Sequence, residues 1–364
     1  MSRLIYKKTI APGNRIRVLI VDDSVVIRRL VTQALSEDPD LEVVGAVSNG
    51  ALALARIAQT NPDVVTLDVE MPEMDGLEML RQLRRGNVRP RVVMCSTLTE
   101  RGALATLDAL ALGADDYVTK TANGGSLELS LNSLREELIP KIKQFFVLSQ
   151  QSPATPTGHP AATGSPRQAF QRSAGSRSKV LAIGVSTGGP TALGAIIPRV
   201  PPDFPVPILI VQHMPPLFTR LLAERLQAST SLKVEEAAEG SSVTAGKVLV
   251  ARGDFHMRLR NTGKDLVIGL DQSPPENSCR PAVDVLFRSV AETFGSAAIG
   301  VILTGMGQDG LRGTQVLKAV GGFVIAQDEA SSVVWGMPGA VVAAGLADSV
   351  VPPENVVSEV LKRI

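Results

Sequence analysis

The chain has 364 residues, 44% of them hydrophobic and 20% charged, enough apolar material for two cores of ordinary domain size and too much for a disordered polymer. Its 37 basic side chains face 36 acidic ones, and a net charge of +1 argues against a dedicated nucleic-acid binder, which needs a basic surplus to release counterions. Two cysteines and three histidines leave no room for a disulfide framework and nearly exclude a structural zinc site, and apolar runs such as 206–211 and 297–303 fall far short of the ~18 residues of a spanning helix. The opening stretch 1–16 is basic but lacks an apolar segment, so a cytoplasmic protein without membrane insertion is expected.

In chain order, short β-branched runs at 17–21 (RVLIV), 41–46, 63–67 (DVVTL), 91–95 (RVVMC) and 116–118 alternate with helical stretches. The first of these, 24–36, puts Val26, Ile27, Leu30, Val31 and Leu35 at helical spacing. Five strands alternating with helices predict a doubly wound, flavodoxin-like parallel sheet over 1–148. In that architecture the reactive positions lie at the carboxyl ends of the strands. Those ends carry Asp22 and Asp23, then Asp68, then Ser96 and Thr97, then Lys120. Three converging carboxylates raise one another's pKa unless a cation sits among them, and oxygen donors suit a hard ion such as Mg²⁺. Asp68 is then a nucleophile beside a metal, of the kind that carries an aspartyl-phosphate, with Lys120 and a hydroxyl to hold the phosphoryl oxygens. Taken singly, each position reads equally as a helix cap or a surface lysine.

This half resembles the response-regulator receiver family in VDDS at 21–24, DVEMPEMDGLEML at 68–80 and GADDYVTK at 113–120. The resemblance implies phosphorylation of Asp68 by a chemotaxis sensor histidine kinase, with Mg²⁺ held by Asp22, Asp23 and Asp68. The switch hydroxyl is Ser96 or Thr97, with Ser96 favoured because it directly follows the run. Thr121 stands where the family usually has proline.

The segment 149–178 contains no acidic residue, a single aromatic (Phe170) and repeated Pro, Gly, Ser and Thr, and reads as a flexible linker. Beyond it, 179–364 forms a second α/β unit. A strand at 179–185 (KVLAIGV) runs into Ser186-Thr187-Gly188-Gly189-Pro190, with a helix expected to begin near Thr191. A serine at that corner lies by the positive end of a helix, but a phosphate-binding Gly-rich loop or a plain tight turn fits equally well. The nucleophile reading needs a base and an orienting acid. His159 falls in the linker; His213 follows the apolar run 207–211, whereas no such run directly precedes His256. Asp309 lies in the Gly-rich stretch after 298–303. Ser186, His213 and Asp309 at three strand ends of one sheet make a coherent triad, in an order and with a GVSTGG corner that α/β-hydrolases do not use.

Residues 179–364 resemble the catalytic domain of the chemotaxis protein-glutamate methylesterase family in IGVSTGGP at 183–190, VQHM at 211–214, RPAVDVLF at 280–287, LTGMGQDG at 303–310 and GMPGA at 336–340. Receiver, linker and esterase follow that family's order. The resemblance implies a doubly wound α/β esterase with Ser186 as nucleophile, His213 as base, Asp309 as orienting acid and the backbone N–H groups of Thr187 and Met306 as oxyanion donors. It further implies hydrolysis of glutamyl γ-methyl esters on methyl-accepting chemoreceptors without a cofactor, and deamidation of receptor glutamines. Arg252 replaces the family's usual proline in ARGDFHM. The alternative is a receiver-controlled, non-catalytic module binding a phosphorylated ligand.

Overall fold

The computed structural model describes residues 8–86, 89–120, 127–148 and 178–364. The expected linker lies outside these residues apart from Ser178, as do His159 and Thr121. Ser178 is buried and donates its N–H to Arg363 O, so it belongs to the packed C-terminal half.

The N-terminal half is the expected α/β receiver-type fold. Its five strands, all parallel, lie in the spatial order Leu41–Val47, Ile16–Val21, Val64–Asp68, Arg91–Thr97 and Asp116–Lys120. Helix starts follow local chemistry. The side chains of Ser24, Asn49, Asp75 and Thr99 each accept a hydrogen bond from a backbone N–H three residues on, satisfying a donor that the first turn leaves free. Two strands, Arg91–Thr97 and Asp116–Lys120, run two residues past the expected ends. Ser96 and Thr97 finish one strand and pair with Thr119 and Lys120 of the next, so Thr97 and the lysine sit side by side. An outlying parallel pair, Lys8–Ile10 with Phe146–Leu148, closes this half.

The C-terminal half is built on seven parallel strands ordered Lys233–Glu236, Lys247–Val250, Ile208–Gln212, Val180–Val185, Ala298–Ile302, Phe323–Gln327 and Ser349–Val351. An antiparallel hairpin, His256–Asn261 with Leu266–Asp271, is attached outside the sheet. Val180–Val185 comes first in sequence yet lies centrally, with later strands on both sides, which makes its carboxyl end a topological switch point. The helix after it, Gly189–Ile196, starts two residues earlier than the spacing at Thr191 suggests. Gly188 caps it with φ of 80°, where a Cβ would stand 2.6 Å from the Val333 side chain. Among the described residues no helix is long and apolar enough to cross a membrane.

Candidate active site

Three loops meet at the switch point. Ser186 directly follows the central strand; its N–H donates to Thr304 O at 3.0 Å, and its carbonyl accepts from Gly189 N and from Gln212 Nε2. Gly305 approaches so closely that a Cβ there would lie 2.8 Å from Ser186 Cβ. His213 follows the neighbouring strand, and its N–H donates to Val185 O at 3.2 Å. Asp309 arrives from the loop after Ala298–Ile302, with Oδ2 2.8 Å from His213 Nε2. The structure thus brings Ser186, His213 and Asp309 to one rim, as the strand-end argument expects.

The carboxylate is fixed from several sides. Asp309 Oδ2 also accepts from Val283 N (2.6 Å), while Oδ1 accepts from Asp284 N, Gly310 N and Asn277 Nδ2. Val283 and Asp284 open the helix Val283–Phe294, so the charge rests at a positive helix end. Burial opposes ionisation of Asp309, but these N–H groups and His213 outweigh it and keep the carboxyl below its usual range. For His213, burial likewise opposes charge, yet Asp309 and Cys279 hold the ring's pKa above the ordinary imidazole value. With Nε2 on the carboxylate, Nδ1 is the nitrogen left to face the pocket.

Thr187 and Met306 line this pocket together with Ser186 and His213. Among the described residues neither Thr187 N nor Met306 N donates to a protein acceptor, which leaves both free for an oxyanion. His256 is placed elsewhere: it is buried, its Nδ1 accepts from Ala282 N, and its Nε2 donates to Pro274 O, both at 3.2 Å. It opens the strand His256–Asn261 and serves as a structural hydrogen-bonder. Arg252 lies with its guanidinium 4.9 Å above the Phe255 ring, away from the pocket.

Sequence reasoning passed over three residues here. Gln212, one before His213, ties the Ser186 and His213 carbonyls together. Asn277 bridges Asp309 and Asp284 with 2.8 and 2.9 Å hydrogen bonds from a left-handed backbone position (φ 53°). Cys279 places Sγ 3.6 Å from His213 Nδ1. The run ENSC, directly before RPAVDVLF, was the available signal, but no periodicity points to it.

In the N-terminal half, Asp22, Asp23 and Asp68 bring one carboxylate oxygen each within 4.8 Å of one another. Lys120 Nζ lies 2.7 Å from Asp22 and 2.8 Å from Asp68. Burial, aided by Asp22, pushes the Asp68 pKa up despite Lys120; the two carboxylates outweigh burial to push Lys120 up as well. An all-oxygen donor set of this size and charge fits Mg²⁺. Ser96 Oγ is buried and donates to Gly102 O, whereas Thr97 is exposed and shares a hydrogen bond with Thr99.

The two halves touch at the pocket. Thr187 Oγ1 donates to Asp116 Oδ2 at 2.8 Å, and Thr191 Oγ1 donates to Leu110 O. The Tyr117 ring stacks on Phe218 with centroids 4.7 Å apart. Arg220 and Arg225 on helix Pro216–Gln227 pair with Glu100 and Asp108 on helix Glu100–Ala111. Leu110, Asp116, Tyr117 and Lys141 therefore line the same cavity, of about 390 Å³, as Ser186 and His213.

Two family models match: the response regulator receiver domain at residues 18–132, and CheB methylesterase at 181–360. A protein-glutamate methylesterase/protein-glutamine glutaminase of Trichodesmium erythraeum is 49% identical over 96% of this chain and 99% of its own length. Another of that name, from a Nocardioides species, is 50% identical over 97% of this chain and 96% of its own. The chain belongs to the CheB methylesterase family. The crystal structure of the Thermotoga maritima CheB methylesterase catalytic domain, 45% identical, matches 51% of this chain and 99% of itself with a TM-score of 0.51. Family membership accounts for a receiver-type sheet and an esterase-type sheet in one chain.

Proposed function

We propose that this chain is a phosphorylation-controlled protein-glutamate methylesterase and protein-glutamine glutaminase serving chemotactic adaptation, acting in the cytoplasm on methyl-accepting chemoreceptors. The observation that carries the reading is the 2.8 Å hydrogen bond from His213 Nε2 to Asp309, which directs Nδ1 into the pocket that Ser186 lines. Ser186 Oγ attacks the γ-carbonyl of a glutamyl methyl ester as Nδ1 takes its proton. The tetrahedral oxyanion is met by Thr187 N and Met306 N, preorganised donors that need no reorientation. His213 returns the proton to the departing methanol, and water activated by the same nitrogen releases the glutamate and Ser186. With a glutamine substrate the same steps expel ammonia.

The units behind this reading are 1–148, a linker ending before the buried Ser178, and the catalytic remainder. Asp68 is the phosphoacceptor for a chemotaxis sensor histidine kinase. Asp22, Asp23 and Asp68 would hold Mg²⁺, which supplies positive charge for an incoming phosphoryl group. Lys120 stands ready to pair with that group, and Ser96, near the end of the adjacent strand, is the switch hydroxyl, with Thr97, the register partner of Lys120, next to it. The docked receiver covers the approach to Ser186, and weakening that docking is the means of activation.

The test is release of methanol from methylated receptor, with and without a small-molecule phosphodonor, by the full chain and by Ser186→Ala. Phosphodonor-stimulated release that vanishes in Ser186→Ala is expected. Undiminished release by Ser186→Ala, or none by the unaltered chain, overturns the reading.

A further inference from the structure

Cys279 shares the pocket with Ser186 but has no part in the reaction above. Its Sγ lies 3.6 Å from His213 Nδ1, while Nε2 on the far side of the ring holds Asp309 at 2.8 Å. His213, Cys279 and Asp309 each offer a donor atom within 4.8 Å of the others. The sulfur–nitrogen separation is informative. Thiolate and imidazole ligands stand about 2.3 and 2.05 Å from a tetrahedral zinc ion, which at the tetrahedral angle places them about 3.6 Å apart. A metal-bound histidine almost always donates its other ring N–H to a carboxylate, which fixes the ring and strengthens it as a ligand. Asp309 occupies that position, and is itself held by Asn277 and by the N–H groups of Val283 and Asp284. The support that orients a catalytic base is here also the support of a metal ligand.

We propose that His213 Nδ1 and Cys279 Sγ form an inhibitory site for a thiophilic divalent cation of the zinc class. Sulfur with imidazole selects such an ion over Mg²⁺ or Ca²⁺, which prefer oxygen. Two protein ligands, with the other positions open to water in the cavity, make an exchangeable site instead of a structural one. The bound ion takes the lone pair that must receive the Ser186 proton, so turnover stops. That consequence rests on reading His213 as the base; the binding itself rests on geometry. The acidic cluster at Asp22, Asp23 and Asp68 offers only oxygen, and burial pushes the Cys95 thiol up to about 12, so neither produces a thiolate–metal signature.

The first test is a Co²⁺ titration of full-length Ser186→Ala, reading thiolate-to-cobalt charge transfer in the near ultraviolet. A saturable band is expected, displaced by Zn²⁺, retained in Cys95→Ala and lost in Cys279→Ala on the same background. A missing band, or one that survives Cys279→Ala, overturns the site. In protein with Ser186 intact, Zn²⁺ should suppress ester hydrolysis reversibly by chelator, each variant being compared with its own chelator-treated rate. Cys279→Ala or Cys279→Ser should require at least about tenfold more Zn²⁺ for the same suppression. Equal sensitivity of the variants overturns the inhibitory role. A chain inactive even in chelator, but with the cobalt band intact, upholds the site and refutes the catalytic reading of His213.

Discussion

Replacing Tyr117 by alanine should bring the unphosphorylated full-length chain close to the activity of its freed catalytic half. The ring is 7% exposed and stacks on Phe218, with centroids 4.7 Å apart and planes 14° from parallel. Such a pair contributes about 0.5–1.5 kcal/mol beyond its area, and burying an aromatic ring of this size contributes about 1.5–3 kcal/mol more. The docked state should therefore weaken by roughly 2–4 kcal/mol, more than the ~0.5–1.5 kcal/mol that a single contact such as the Thr187–Asp116 hydrogen bond contributes. At tenfold per 1.4 kcal/mol, the exposed-site population rises by about 30-fold or more until it saturates at the rate of the catalytic half alone. The assay is methanol release without phosphodonor, comparing the unaltered chain, Tyr117→Ala, Tyr117→Phe and residues 178–364. Tyr117→Phe keeps the stack and should stay slow; thermal unfolding of the receiver should change little between the two variants. If residues 178–364 are fast while Tyr117→Ala stays as slow as the unaltered chain, the stack does not hold the closed state. If residues 178–364 are no faster than the full chain, docking does not inhibit at all.

Alanine at Ser186, His213 or Asp309 should each abolish most turnover, and double replacements should cost little more, since the three act as a unit; near-additive losses would contradict this. His256→Ala should cost about 1–3 kcal/mol of stability for leaving Ala282 N and Pro274 O unpaired, read as a lower melting temperature, while kcat stays within a few-fold. Asn277→Ala should lower kcat more than it raises KM, because Asn277 positions Asp309 without meeting substrate; a pure KM effect would place it in substrate binding instead. The active base is the neutral ring and the Asp309 hydrogen bond favours its proton, so activity should rise with pH through a limb above 6.5; an NMR titration placing the His213 ring at or below 6.5 would refute this.

The sequence by itself determined the α/β class of both halves and the reactive strand ends. Near-continuous β-branched runs of three to seven residues alternating with helical stretches leave little choice but buried parallel sheets, and such sheets place Asp22, Asp68, Lys120, Ser186 and His213 at their carboxyl rims whatever the loops do. Exact element ends were less legible. Ser96, Thr97 and Lys120 lie within their strands because neighbouring strands extend the hydrogen-bond ladder past the last apolar residue. What only the tertiary structure decided is the set of contacts between residues distant in sequence. Asn277 and Cys279 reach the triad through a loop with left-handed backbone at Asn277 and Ser278, a geometry no apolar period encodes. Tyr117 reads as a core residue of its own sheet until Phe218, 101 positions later, is seen to cover its face. Hydrophobic patterning says that a face must be buried; which surface buries it depends on docking two independently folded sheets, and that docking places Asp116 on Thr187 beside Ser186.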